Sequence, residues 1–186
     1  MSIAAVILAA GASTRLGRPK QTLQINHESL VARAVRVACD AGFSPVIAIL
    51  RDNELIDIVR KHGAITLLNR ESYEGMASSI RCGVAAVKRL KTSGVVVMTC
   101  DQPGVTADHL RALTAENAAI TGSAYAGRVG VPAYFPATSF DALLALDGDA
   151  GARELLRGAR SIPNEALNLD IDTEEDFREA QALFEA

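Results

Sequence analysis

With 186 residues, 49% of them hydrophobic and 22% charged, the chain fits one soluble domain with room for a sizeable core. A net charge of −3 with scattered basic residues, no tryptophan and only 4% aromatics argues against an extended nucleic-acid surface or a base-stacking platform. The apolar start, residues 1–10, has no basic residue ahead of it and soon meets a Gly/Ser/Arg loop, so neither a signal peptide nor a membrane span is expected. The three cysteines, Cys39, Cys82 and Cys100, are widely spaced and form no C-x-x-C pair. They read as inert thiols of a reducing compartment, which makes the cytoplasm the expected location.

Residues 3–8 form a short continuous apolar run that leads straight into Gly and Ser, the pattern of a central parallel strand feeding a loop. Leu30, Ala34, Val37 and Ala38 have helical spacing, so a helix is predicted over 29–40 with Gly42 as its stop. A strand over 46–50, a helix over 54–61, a strand over 65–68 and a helix over 76–90 follow. Residues 94–100, Gly-Val-Val-Val-Met-Thr-Cys, are the most strand-like stretch of the chain. Beyond them the pattern predicts a helix over 107–119 and strands near 123–126 and 131–135. Helices near 140–146 and 151–158, a last strand over 166–169 and a helix over 174–184 complete the chain. Strands alternating with helices imply right-handed crossovers and a mostly parallel sheet covered on both faces. Ligands of such sheets sit at the carboxyl ends of the strands, here after the first, third and fourth.

The loop after the first strand reads Leu8-Ala-Ala-Gly-Ala-Ser-Thr-Arg-Leu-Gly-Arg-Pro-Lys20. Its small residues from Ala9 to Ser13 let the backbone approach a ligand closely, and successive N–H groups can converge on phosphate oxygens. Arg15 and Lys20 would bring two cations to a polyphosphate, with Gly17 and Pro19 shaping the turn. Taken alone, the stretch fits a glycine turn with solvated basic residues equally well. Neither the P-loop spelling nor the dinucleotide G-x-G-x-x-G is present.

Leu8-Ala-Ala-Gly11, Arg15, Gly17 and Pro19-Lys20 resemble the signature of the MobA/MocA-like NTP transferases, which build sugar nucleotides and the dinucleotide forms of molybdenum cofactor. The resemblance implies a single nucleotidyltransferase domain over 1–186, with a three-layer α/β/α Rossmann-like fold and a mostly parallel mixed sheet. It also implies that Leu8, Ala9, Ala10 and Gly11 hold the nucleotide, while Arg15 and Lys20 act on its phosphates. Three further segments extend it. Asp101, in Cys100-Asp-Gln-Pro103, caps a turn or holds Mg²⁺ as far as its own chemistry goes, and the resemblance implies the metal. Asn69 and Gly75-Met-Ala-Ser78-Ser79 look like the segment that contacts the nucleotide, although serines in a first helical turn also satisfy orphan N–H groups. In Asp170-Ile-Asp172-Thr173, Thr173 reads as a helix cap with Asp176 three residues on, and the resemblance makes Asp172, or else Asp170, the second metal ligand. His27, His62 and His109 fall in no metal pattern and read as surface or helix residues.

The acceptor end rests on Asp147-Gly-Asp-Ala-Gly-Ala-Arg153, predicted to open a helix with Asp149 as its N-cap. Gly151 would leave first-turn N–H groups open to an anion and Arg153 would add a fork for a phosphate. The resemblance points to the molybdenum cofactor cytidylyltransferase branch, with Mg²⁺, CTP, a molybdopterin-type phosphorylated acceptor and transient contact with a cofactor-receiving enzyme. Guanylyltransfer from GTP, sugar-1-phosphate nucleotidyltransfer and a non-catalytic nucleotide-binding maturation role are the alternatives. Val131, in Gly130-Val-Pro-Ala133, departs from the branch, where a polar residue is common.

Overall fold

The computed structural model describes residues 2–148 and 151–185. In chain order, β1 (Ile3–Ala9) enters the small-residue loop, which ends in a 3₁₀ turn at Lys20–Thr22. A hairpin of β2 (Gln24–Ile25) and β3 (Glu28–Ser29) leads to α1 (Leu30–Asp40), β4 (Val46–Leu50), α2 (Ile56–Lys61), β5 (Ile65–Leu68) and α3 (Met76–Arg89). Then come β6 (Gly94–Thr99), α4 (Ala107–Leu113), β7 (Thr121–Tyr125), β8 (Arg128–Pro136) and α5 (Phe140–Leu144), followed by β9 (Arg160–Pro163) and α6 (Glu174–Phe184).

Seven strands form one sheet in the order β5-β4-β1-β6-β8-β7-β9. The first four are mutually parallel, β8 runs antiparallel to β6 and β7, and β9 is parallel to β7. The mostly parallel mixed sheet expected from the sequence is therefore present. Because strand side chains alternate between faces, β1 feeds two cores. Ala5, Ile7 and Ala9 pack with Val35 of α1, Val59 of α2 and Leu110 of α4, whereas Ala4, Val6 and Leu8 pack with Ile80 and Val84 of α3 and Phe140 of α5. The result is the three-layer α/β/α, Rossmann-like arrangement. Gly83 lets α3 settle on β1, since a Cβ there would lie 2.5 Å from Val6 Cγ1.

From β1 the chain moves outward through β4 to β5, then crosses back to β6 on the other side of β1. The sheet's switch point thus lies between β1 and β6, where their carboxyl-end loops diverge and leave a crevice. No helix among the described residues is long and apolar enough to cross a membrane.

Three expectations are corrected. Residues 151–158 form successive turns rather than an α-helix: Leu155 N–H reaches Ala152 O and Arg157 N–H reaches Glu154 O, closures three residues back. Left-handed glycines at both ends, Gly151 (φ 55°) and Gly158 (φ 74°), break the helical path. The last strand is β9, not 166–169. Those residues fall largely in a 3₁₀ turn begun by the Asn164 side chain, which accepts the Ala166 N–H, while the polar Arg160–Pro163 segment gains strand form only by pairing with β7. The helix starting at Ala107 ends at Leu113. The β2–β3 hairpin, turned by Asn26 and His27 at positive φ, had no apolar run to announce it.

Candidate active site

The loop leaving β1 is pinned from within. The buried Gln21 amide donates to Ala9 O (3.0 Å) and Gly11 O (2.9 Å). Ser13, at φ 50°, accepts the Lys20 N–H on its hydroxyl at 3.0 Å, and its carbonyl accepts the N–H groups of Leu16 and Gly17. These bonds fold the loop back, bringing Lys20 to the carboxyl ends of β1 and β6. Its ammonium lies 2.5 Å from Asp101 Oδ2 and 2.8 Å from Asp172 Oδ1, and Arg15 Nη1 lies 3.0 Å from Asp172 Oδ2. The three residues assigned to catalysis and both metal candidates therefore meet at one place, although the segments that carry them are far apart in sequence.

Asp170 belongs with them. Ile171 is fully buried and donates its N–H to Asp101 O at 3.0 Å, so the carboxylates on either side of it line up beside Asp101. Asp101, Asp170 and Asp172 each offer an oxygen within 4.8 Å of the others. Asp101 Oδ1 and Asp170 Oδ1 are buried without a hydrogen-bond partner. Burial, then the neighbouring Asp101 charge, pushes the Asp170 carboxyl from its ordinary 3.8 up to about 7, against the pull of Lys20. Burial alone would lower the Lys20 ammonium, but attraction and hydrogen bonding from Asp101 and Asp172 hold it above its ordinary value. Buried carboxylate oxygens without partners are costly unless a cation meets them. An all-oxygen donor set of this kind suits a hard divalent ion.

A cleft of about 290 Å³ opens over this cluster, lined by Lys20, Asp101, Asp170 and Asp172 together with Val131 and Arg153. Arg128, stacked 5.1 Å from the Tyr125 ring centroid, lines it too and was not foreseen from sequence. Gln102 braces the floor: its amide donates to Leu167 O (3.1 Å) and Tyr125 Oη (3.2 Å), and the tyrosine hydroxyl donates to Val131 O (3.0 Å). Gly151 packs on Met76, which itself lines this cleft, and a Cβ on it would meet Met76 Sδ at 2.9 Å. With no helix there, Arg153 reaches the cleft from a turn and the expected helix N-terminus is absent. Asp149, its predicted cap, lies outside the described residues.

Leu8, Ala9 and Ala10 are buried at the end of β1, and Gly11 is exposed at the loop's mouth. Asn69, after β5, donates from Nδ2 to Ser78 Oγ (2.9 Å) and Ser79 Oγ (3.0 Å) and accepts the Glu71 N–H, while Ser78 Oγ donates to Gly75 O. These buried groups join the loop after β5 to the first turn of α3. Beside them a second cleft, about 320 Å³, is lined by Ala10, Ala12, Arg51, Arg70, Ser72 and Tyr73. Arg51 and Arg70 follow the adjacent strands β4 and β5. Their places just past strand ends were the only sequence signal for them. Of the histidines, His109 is buried on α4 with Nε2 2.7 Å from Ser123 Oγ.

A family profile described as a MobA-like NTP transferase domain matches residues 5–165. The chain belongs to that family of nucleotidyltransferases. Among its relatives, the purine catabolism protein PucB of Bacillus subtilis is 29% identical over 92% of each chain. The nicotine blue oxidoreductase of Paenarthrobacter nicotinovorans is 29% identical over 93% of each. A probable molybdenum cofactor guanylyltransferase of Opitutus terrae is 27% identical over 57% of this chain and 51% of its own. The crystal structure of Rv0371c from Mycobacterium tuberculosis superposes with a TM-score of 0.83 at 32% identity, covering 98% of both chains. A structure of Rv0371c in complex with manganese reaches 0.77 at 30% identity, over 98% of this chain and 99% of that one.

Proposed function

We propose that this MobA-like protein transfers a nucleoside monophosphate, CMP from CTP, to a phosphorylated acceptor of the molybdopterin type, releasing pyrophosphate. The observation that carries this reading is the shared cleft, lined both by Lys20, paired with Asp101 and Asp172, and by Arg153. The backbone of Leu8 to Gly11 would hold the nucleotide, with Asn69, Gly75, Ser78 and Ser79 framing its base side. Asp101, Asp170 and Asp172 would hold Mg²⁺, which when bound supplies positive charge to offset that of the triphosphate. The manganese complex of Rv0371c supports a divalent ion in this family.

An acceptor phosphate oxygen attacks the α-phosphorus, and the bond to the bridging oxygen of the β-phosphate breaks. The electron pair leaves with pyrophosphate. A phosphate acceptor arrives already ionised, so the step needs no serine or cysteine nucleophile. Lys20 and Arg15 face the charge that builds on the leaving group, and Arg153 orients the acceptor.

Cytidylyl transfer rests on the Asp101-Gln-Pro103 and Ser78-Ser79 segments, guanylyl transfer on the likeness to the Opitutus protein. Pyrophosphate release measured with each of the four NTPs and with candidate acceptors separates them. CTP with a molybdopterin acceptor should be fastest. A clear preference for GTP makes the protein a guanylyltransferase, turnover only with sugar phosphates makes it a sugar nucleotidyltransferase, and NTP binding without turnover leaves a maturation role. The proposed setting is the cytoplasm, with hand-over to a cofactor-using enzyme.

A further inference from the structure

Three ion pairs tie the loop after β1 to the segment that begins α6: Arg15–Asp172, Lys20–Asp172 and Arg18–Glu174. The first two employ groups that the proposed reaction needs for triphosphate and metal, so they must loosen when substrate binds. The third is independent of both. Arg18 donates from Nε and Nη2 to the two Glu174 oxygens at 2.9 and 3.0 Å, and its guanidinium lies 5.5 Å from the Phe177 ring centroid. Behind this contact, Leu16, Leu23 and Ile25 pack with Ile171 and Ala180 in a small core of their own, joined by Phe177 and Phe184. At the far end of α6, Asn26 is bonded to Glu185 Oε1 and Phe184 O. The helix is thus strapped along residues 16–30, and it starts two residues past Asp172.

We infer that Arg18 and Glu174 are positioning residues, a pin that holds the phosphate loop against α6 while Arg15 and Lys20 turn from Asp172 to the triphosphate. Of the three ion pairs, this is the one that uses no group of the proposed reaction, so it persists through that exchange and limits how far the loop moves as the other two let go. The inference rests on the proposed nucleotidyl transfer for its ligand, but the pin itself does not. It also assigns work to a helix beyond the span that matches the family profile.

Glu174→Gln gives the pin and simple electrostatics opposite signs. Removing a carboxylate near a triphosphate site should tighten NTP binding if charge alone matters. Loss of the pin should weaken it instead, by about threefold, and Arg18→Gln, which also loses the aromatic stack, by about fivefold to tenfold. Calorimetric titration of the full chain with CTP and Mg²⁺ reads the affinity, and amide hydrogen exchange over residues 13–23 reads the loop. Weaker binding with faster exchange in both variants, recovered in the double reversal Arg18→Glu/Glu174→Arg, is the expected result. Equal or tighter binding by Glu174→Gln overturns the positioning role. If wild type binds none of the four NTPs, the proposed function fails. The exchange data then judge the pin alone, and unchanged exchange in both variants overturns it.

Discussion

The Lys20 ammonium is shared between Asp101 and Asp172 at 2.5 and 2.8 Å, and the two unpartnered carboxylate oxygens nearby belong to Asp101 and Asp170. Asp101→Asn removes one charge from the acidic cluster without changing the side chain's shape. Lys20 keeps Asp172, so the fold should persist. Turnover should drop by roughly a hundredfold to a thousandfold, as when a charge-stabilising group is lost. Steady-state pyrophosphate release across a Mg²⁺ series checks this, and near wild-type rates at low Mg²⁺ would remove Asp101 from the site. For Asp170 the pH window follows from the raised carboxyl. The native state holds its proton more tightly than the unfolded chain, so ionisation costs native stability. That penalty grows between 3.8 and about 7 and is complete above about 7. Metal-free Asp170→Asn should therefore melt above metal-free wild type at pH 8, the gap shrinking toward pH 5. His109, whose imidazole burial holds below its ordinary 6.5, has the opposite pH trend, but equally in both proteins. A gap that widens on acidification would contradict the burial of Asp170 beside Asp101.

At the scale of elements, α6 opens with a full capping box: Thr173 Oγ accepts the Asp176 N–H at 3.2 Å, and Asp176 Oδ2 accepts the Thr173 N–H at 2.7 Å. Three acidic residues, Glu174, Glu175 and Asp176, occupy the first turn, where the helix dipole favours them. Thr173→Ala should cost about 1 kcal/mol of stability, readable as a lower denaturant midpoint with unchanged slope. An unchanged midpoint would mean the strap along residues 16–30 alone holds the helix. The turns over 151–158 have no helix N-terminus to offer, so Arg153, which lines the cleft, is the group to test for acceptor binding. Arg153→Ala should raise the acceptor KM by about tenfold to a hundredfold and leave CTP affinity nearly unchanged, since truncating a charge-assisted contact costs on the order of 1.5–3 kcal/mol. A fall in CTP affinity instead would move Arg153 to the nucleotide side.

Across the whole molecule, the cluster joins segments from the end of β1, the end of β6 and the approach to α6, so a ligand binding there links distant parts of the chain. Such a ligand stabilises the native state by about 2.7 kcal/mol at a hundred times its dissociation constant. For a chain of this size that corresponds to roughly 5–10 °C in Tm. CTP with Mg²⁺ should produce a shift of that order, GTP a smaller one, and CTP with chelator little. Equal shifts from all four NTPs would leave no base preference to explain.

The strands β1, β4 and β6 were legible in the chain because continuous apolar runs bounded by turn residues report burial on both faces, a local property. Leu8-Ala-Ala-Gly11, Lys20 and Asp101 stood out through their resemblance to the family's signature, since their positions at or beyond strand ends fitted an ordinary turn or cap equally well. Residues whose environment comes from remote segments left weaker signals. Arg160–Pro163 is polar and becomes a strand only because β7 pairs with it, whereas the more apolar 166–169 turns to place Leu167 under Gln102. Gly151 and Gly158 look like ordinary helix ends in sequence, and only their left-handed backbone shows that no helix lies between them. Asp170 and Asp172 were both candidates, and no local rule could choose. Ile171, fully buried against the Asp101 loop, brings both carboxylates to one place and leaves Asp170 with an unsatisfied oxygen. Short-range pattern thus determined the types of most elements up to β6, and resemblance to the family's signature singled out the first loop. The charges that meet across the crevice, and the Arg18–Glu174 contact beside them, were decided by tertiary packing, because each depends on a neighbour far away in sequence.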